Sequence, residues 1–250
     1  MNHLRTIGVA LSLAISTAAT ADTITIRYDN PVYTPFAYDA MSLSTNGGAS
    51  SFSVGAGRHQ ATVLGTTGAL IDSDLVDNAS DLFLYCYDLF EYINHGQTVT
   101  YTIDYNGPVA RTLDFLGAVN YVLNGNTNTW ADPYAWLHPT STQMAAAIQV
   151  GIWESLYDAS GWNLAGGTFR ASGLDSGTGT QWTAFKTAVL NAAVNDLPSG
   201  MAMTVVRRGS QDQIIGRRPV DEQELPEPGS LALTGLALLA ALALRRREHA

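Results

Sequence analysis

The stretch QTVTYTIDYNGPVARTLDFLGAVNYVLNG, residues 97–125, changes its period midway. In its first half, Val99, Tyr101, Ile103 and Tyr105 alternate with Thr98, Thr100, Thr102 and Asp104. Period-two alternation of this kind predicts a strand with one buried face. The strand ends at an Asn-Gly turn signal, Asn106-Gly107. In the second half, Leu113, Leu116, Asn120 and Leu123 recur at helical spacing, with Gly125 as a stop. The chain thus passes here from a β part to a helical part, and the fold class is expected to be α+β.

Upstream of this switch, residues 23–30 (TITIRYDN) alternate as a first strand, and ATVLGT (61–66) fits another. Residues 42–57 are rich in Ser, Gly and Asn and read as loop or weak strand. DLFLYCYDL (81–89) is a dense run of aromatic and aliphatic residues, and such residues fit a sheet surface. Downstream, a loop carries Trp130, Pro133, Trp136 and Pro139. A second helix follows over TSTQMAAAIQVGIWESLYDASG (140–161), with Thr140 or Ser141 as cap and Gly161 as end. Met144, Ile148, Ile152 and Leu156 line one face of it. After a Gly/Ser/Thr-rich loop at 165–180, QWTAFKTAVLNAAVNDLPSG (181–200) predicts a third helix, and MAMTVVRR (201–208) returns to strand. The expected architecture is a β-sandwich or barrel-like domain with a three-helix insertion at about 109–197. It shows no internal repeat.

The two ends stand apart from this core. Residues 1–21 combine Arg5, an apolar run from Ile7 to about Ile15, and the small-x-small pattern Ala19-Thr20-Ala21. That is the build of a secretory signal peptide, with the mature chain starting near Asp22. Residues 226–250 begin with Pro226-Glu227-Pro228, continue with an apolar run at 229–244, and close on Arg245-Arg246-Arg247. The run is shorter than the roughly 20 residues of a stable membrane-spanning helix. The arginines are the positive flank that would hold it in the inner membrane with that flank cytoplasmic. Triplet, helix and basic cluster in this order resemble the PEP-CTERM sorting signal of exported Gram-negative proteins. The resemblance implies transient anchoring in the inner membrane and processing by an exosortase. It also implies release to the cell's outer surface or the extracellular matrix. A plain tail anchor is the other reading of the same segment.

Without its ends the core, residues 22–225, keeps nine basic and twenty acidic residues, a net charge of −11. Such a charge argues against nucleic acid and anionic membrane surfaces as partners. About 200 residues suffice for a sizeable interior. The histidines are scattered without metal-ligand spacing, and no Gly-rich phosphate loop follows a strand, so no metal or other cofactor is expected. DSD (72–74) and SQDQ (210–213) read as loops.

Cys86 is the one cysteine of the chain, so an exported molecule has no internal disulfide to form. By itself it reads as a small buried hydrophobe in a strand. Two short pieces suggest more: Tyr85-Cys86-Tyr87-Asp88, and Ile148-Gln149-Val150-Gly151-Ile152-Trp153. They resemble the two signatures of bacterial thioester domains on Gram-positive surface adhesins, a cysteine after an aromatic residue and apolar-Gln-x-x-apolar-Trp on a later helix. The likeness covers about residues 80–160. It departs at Ile148, where the family often has Thr, and at NGNTNTW (124–130), which replaces a Gly-Tyr-Pro turn. The resemblance implies that Cys86 and Gln149 condense to an internal thioester with loss of ammonia, and that the protein is an adhesin rather than an enzyme.

Gln149 and Trp153 are four apart and share one helix face, at the edge of the apolar stripe, where a reactive side chain is half covered. Tyr85, Tyr87 and Trp153 are candidates to keep water from the bond. His59, His95 and His138 are all candidates for a base near the thiol. The expected partners are amine-bearing groups on a surface or matrix target, or an exopolysaccharide. Lys186 is the single lysine of the core, which limits attack between molecules and fits arginine drift equally well. An alternative is a non-covalent carbohydrate- or matrix-binding module using loop aromatics such as Trp130, Tyr134, Trp136 and Trp162. A cysteine hydrolase with Cys86, a histidine and Asp88 has no local signature in its favour.

Overall fold

The computed structural model describes residues 21–159 and 161–219. The signal peptide expected at 1–21 falls outside these residues except for Ala21, and the sorting signal expected at 226–250, with its helix at 229–244, falls outside them entirely. Among the described residues no helix is long and apolar enough to cross a membrane.

Six strands close an antiparallel barrel: β1 (Thr23–Tyr28), β4 (His59–Thr67), β5 (Leu82–Cys86), β9 (Ser210–Gly216), β8 (Ala202–Arg207) and β6 (Thr98–Asp104), in that order around the wall. β6 closes the ring by pairing with β1, with Ile24 opposite Tyr101 and Ile26 opposite Val99. The alternation read from residues 98–104 is reproduced: Val99, Tyr101 and Ile103 are buried, and the threonines and Asp104 are exposed. On the outer face the hydroxyls of Thr25 and Thr100 pair at 2.8 Å. Ile24, Ile26, Leu82, Leu84, Met203, Val205 and Ile215 join the β6 residues to fill the barrel.

Between β6 and β8 the chain makes α1 (Ala110–Leu123), α2 (Thr142–Tyr157) and α3 (Ser176–Val189). The three helices pack on one another, and α2 packs on a small sheet of β3 (Phe52–Ala56), β2 (Asp39–Ser44) and β7 (Arg170–Ser172). A second apolar cluster joins helices, small sheet and the outer barrel wall, with Phe115, Trp136, Ile148, Phe185, Tyr85 and Ile214 at its centre. β strands, helical insertion and returning strands thus follow the expected α+β plan, and the β part is a closed barrel with an additional three-stranded sheet.

Several local expectations change. Residues 42–57 hold the second half of β2 and all of β3, because their apolar positions find cover under α2. α2 ends at Tyr157, four residues before Gly161, with the Asp158 N–H bonded to the Glu154 carbonyl. Its start at Ser141 agrees with the cap reading, the hydroxyl accepting from the Met144 N–H at 3.1 Å. α3 begins at Ser176, earlier than expected, because the Asp175 carboxylate accepts from the Thr178 N–H at 2.7 Å and caps the helix. SQDQ is no loop. It opens β9, and its polar residues are held between two barrel strands.

Candidate functional site

Cys86 is the last residue of β5. Leu84 faces Ile215 inside the barrel, so Cys86, two residues on, points the same way, at the barrel's mouth. Alternate residues of an antiparallel strand bond to alternate neighbours. The Tyr87 N–H donates to the Asp212 carbonyl of β9, so the N–H and C=O of Cys86 face the other side, toward β4. β4 starts only at His59, opposite Leu84, and leaves Cys86 without a backbone partner there. The side-chain amide of Gln149 takes that place. Its Oε1 accepts from the Cys86 N–H at 2.9 Å, and its Nε2 donates to the Cys86 carbonyl at 2.8 Å.

Gln149 is fully buried, which corrects the expectation of a half-covered residue at the edge of a stripe. Every residue of α2 from Ala145 to Ser155 is buried, so this is a central helix with no solvent face along that span. Small residues let it lie there. A Cβ at Gly151 would stand 1.9 Å from the Phe115 ring of α1.

The thiol points away from the amide's hydrogen-bonding edge, toward a group of polar side chains. Sγ donates to Gln211 Oε1 at 2.9 Å and lies 3.7 Å from both ring nitrogens of His59. Burial, and secondarily Asp88, push the thiol well above its ordinary pKa, so it is protonated at neutral pH. Burial pulls His59 down to about 4, against a hydrogen bond with Gln213, so its ring is neutral. A cavity of about 250 Å³ reaches this point. Cys86, His59, Gln211 and Trp153 line it, with Tyr33, Tyr92 and His95 among the other wall residues. The Trp153 indole N–H is buried and has no acceptor among the described residues.

The structure therefore brings Cys86, Gln149 and Trp153 together. It does not bring Tyr85 and Tyr87 to the cavity. Odd positions of β5 face the opposite side from Cys86, so Tyr85 packs on Trp136, with ring centroids 6.1 Å apart, and Tyr87 meets the start of α1, its hydroxyl accepting from the Val109 N–H. The two tyrosines bury the strand from behind. Of the three histidines, His59 touches the thiol. His95 lines the cavity, where its Nδ1 accepts from the Val32 N–H. His138 bridges Asp77 and Asp132, each at 3.0 Å, and does not line the cavity. The loop aromatics do not form an open stacking surface. Trp136 is fully buried, Trp162 stacks on Phe115, and Tyr134 is buried too, with Trp130 packed against the same cluster. The exposed aromatics are Tyr38, Phe90 and Tyr92.

Sequence reasoning missed Gln211 and Gln213. The only signal was the alternation Gln211, Gln213, Ile215 on one strand face, hidden by a polar start that resembles a turn. It also missed the approach of Asp88, Glu91 and Asp212, whose carboxylates lie within 4.8 Å of one another. These could ligate a cation. Backbone donors already hold them: Asp88 accepts from the N–H groups of Phe90, Glu91 and Asp212, and Glu91 accepts from that of Gly209.

Comparison with family models, with curated proteins and with solved structures finds no match to this chain.

Proposed function

We propose that this is an exported adhesion or matrix-binding protein in which Cys86 and Gln149 form an internal thioester that captures amines. The observation that carries the reading is the clasp between the Gln149 amide and the Cys86 backbone, two residues 63 positions apart, both buried. An amide is a poor acyl donor, and fixed contact with a nucleophile is what offsets that. In the step, the thiol turns about its Cα–Cβ bond from Gln211 toward the amide carbon. Sγ bonds to Cδ of Gln149, the Cδ–Nε2 bond breaks, and the thiol proton leaves with the nitrogen as ammonia. The Cys86 N–H already donates to Oε1, the atom on which negative charge develops, and so acts as a built-in oxyanion donor. Burial of both residues beside Trp153 limits the approach of water and slows hydrolysis of the product.

Release of the acyl group to an amine is a single transfer without turnover. The amine would come from a surface or matrix molecule entering by the cavity. The Pro226-Glu227-Pro228 and Arg245-Arg246-Arg247 pattern supports delivery to the outer surface or matrix of a Gram-negative cell. On this reading an exosortase is the processing partner and the inner membrane a transient anchor.

The test is an intact mass of the purified protein beside Cys86→Ala and Gln149→Ala. The expected result is a wild type one ammonia lighter than its composition and variants at full mass. A wild type at full mass, with a thiol that titrates after unfolding, overturns the thioester. The molecule would then be a non-covalent binding module, with the Gln149 clasp serving to close the strand edge.

A further inference from the structure

The polar residues behind Cys86 form a chain whose donors and acceptors can be assigned one by one. Gln213 Nε2 donates to the Gln211 backbone carbonyl at 3.2 Å, so Gln213 Oε1 is the end that faces His59. An amide oxygen only accepts. His59 Nδ1, 3.3 Å away, must therefore carry the ring proton. A neutral imidazole has one N–H, which leaves His59 Nε2 as a bare lone pair. Its one hydrogen-bonding neighbour among the described residues is the Cys86 thiol, whose Sγ is 3.7 Å from Nε2 and equally from Nδ1, so the sulfur stands off the in-plane lone pair of Nε2 and reaches it when the thiol turns. Gln211 is arranged likewise. Its Nε2 donates to the Asp88 carbonyl, so Oε1 is the end that receives the thiol proton. An amide oxygen orients that proton but is too weak a base to take it.

We infer that His59 Nε2 is the proton acceptor of the Cys86–Gln149 reaction, the group through which the thioester forms and through which an incoming amine opens it. The inference rests on the thioester reading. In formation, Nε2 takes the thiol proton as Sγ attacks Cδ of Gln149, and returns it to the departing nitrogen, which leaves as ammonia. In capture, the amine nitrogen attacks Cδ, gives a proton to Nε2, and Sγ leaves and regains that proton. His59 is neutral before and after each step. The groups around it suit this cycle. From β5 it faces the protonated Cys86. From β1 and the loop after it, it faces Tyr28 and Tyr33, with ring centroids 6.2 and 5.0 Å away. Tyr101 from β6 and Tyr92, with His95 and Asp88, complete the nearby titratable set, and no lysine or arginine lines the cavity. The imidazole is thus free of a partner that would hold it protonated.

The test has two arms. Nitrogen NMR of protein carrying labelled histidine reads the tautomer of His59 directly, whether or not the bond exists. The expected result at pH 7 is a protonated Nδ1 and a bare Nε2, and a protonated Nε2 overturns the proposal. The second arm follows loss of ammonia and uptake of methylamine by intact mass, in wild type, His59→Gln and His59→Gly. General-base loss predicts slowing by about 100-fold or more, with His59→Gly recovering on addition of free imidazole. For uptake at a fixed concentration of neutral methylamine, the wild-type rate should fall only as pH approaches 4. A folded His59→Gln that reacts at the wild-type rate overturns the role and leaves the thioester standing. A wild type that keeps its ammonia overturns the thioester first and the role with it. Should His59→Gln not fold, the tautomer and the imidazole response still decide the question.

Discussion

At the scale of single residues, the amide of Gln149 acts as a missing piece of backbone. β4 has run out beside Cys86, and a side chain from α2 supplies the acceptor and donor that a strand would have given. Removing it leaves two buried backbone groups unpaired, each worth about 1–3 kcal/mol. In the chain without the cross-link, Gln149→Ala is therefore expected to lower unfolding free energy by about 3 kcal/mol or more in urea titration and Cys86→Ala by about 1 kcal/mol, and where the thioester has formed either variant also loses a covalent tie and costs more. Gln149→Glu, the residue that hydrolysis of a thioester would leave, should be worse at neutral pH than at acid pH. A carboxylate accepts from the Cys86 N–H but repels its carbonyl, whereas the protonated acid can donate to it. The folded-state pKa of that carboxyl is raised, so stability is lost as pH rises through it.

His59 gives the opposite slope. Its folded pKa of about 4 lies below the ordinary 6.5, so the unfolded chain binds the proton first as pH falls. Stability present above pH 6.5 is then lost between 6.5 and 4, by about 3 kcal/mol. The difference between wild type and His59→Gln in a pH series of melts isolates this contribution.

At the scale of elements, α2 and β9 make the site. α2 reads from sequence as an amphipathic helix because Met144, Ile148, Ile152 and Leu156 suggest one stripe. Its remaining faces carry Ala145, Ala146, Ala147, Gly151 and Ser155, whose small size allows close packing, beside Gln149, Val150, Trp153 and Glu154, which are buried as well although the polar ones do not announce it. Close packing at Gly151 sets the approach of α1. Gly151→Ala would gain about 1 kcal/mol in helix propensity but drive a methyl group into the fully buried Phe115 ring. The expected net effect is a loss of about 2 kcal/mol or more, read as a lowered urea midpoint with an unchanged slope. β9 was illegible for a different reason. Ser210, Gln211, Asp212 and Gln213 have turn-like composition, and they are strand residues here because the barrel needs a sixth member between β5 and β8. β5 and β6 were legible, since aromatic density and strict alternation are properties of the segments themselves.

At the scale of the whole molecule, the barrel interior and the helical cluster share a wall. Tyr85 and Ile214 face the helices, while their neighbours Leu84 and Ile215 face the barrel. Arg58 adds a tie, its guanidinium 3.6 Å from the Phe83 ring centroid and donating to the Leu137 carbonyl. The two parts are therefore expected to unfold together. Tryptophan fluorescence, dominated by the helical layer, and circular dichroism in the far ultraviolet should trace one coincident urea transition. Two separated transitions would show that the barrel stands alone.

What could be read from residues 1–250 in order was whatever depends on near neighbours: the switch of period after Gly107, the helix cap at Ser141, the pattern of the two ends, and the pairing of motifs around Cys86 and Gln149. Hydrophobic period and capping act over a few residues and leave their mark in the chain. The surroundings of the thiol were not legible. Gln211 is 125 residues from Cys86, and His59 is 27 away in the other direction. They meet because β4, β5 and β9 become neighbours in a closed wall, with a register set by packing across strands. Which histidine faces the sulfur, and which tautomer it holds, follows from that closure, because hydrogen-bond partners are assigned by position in space.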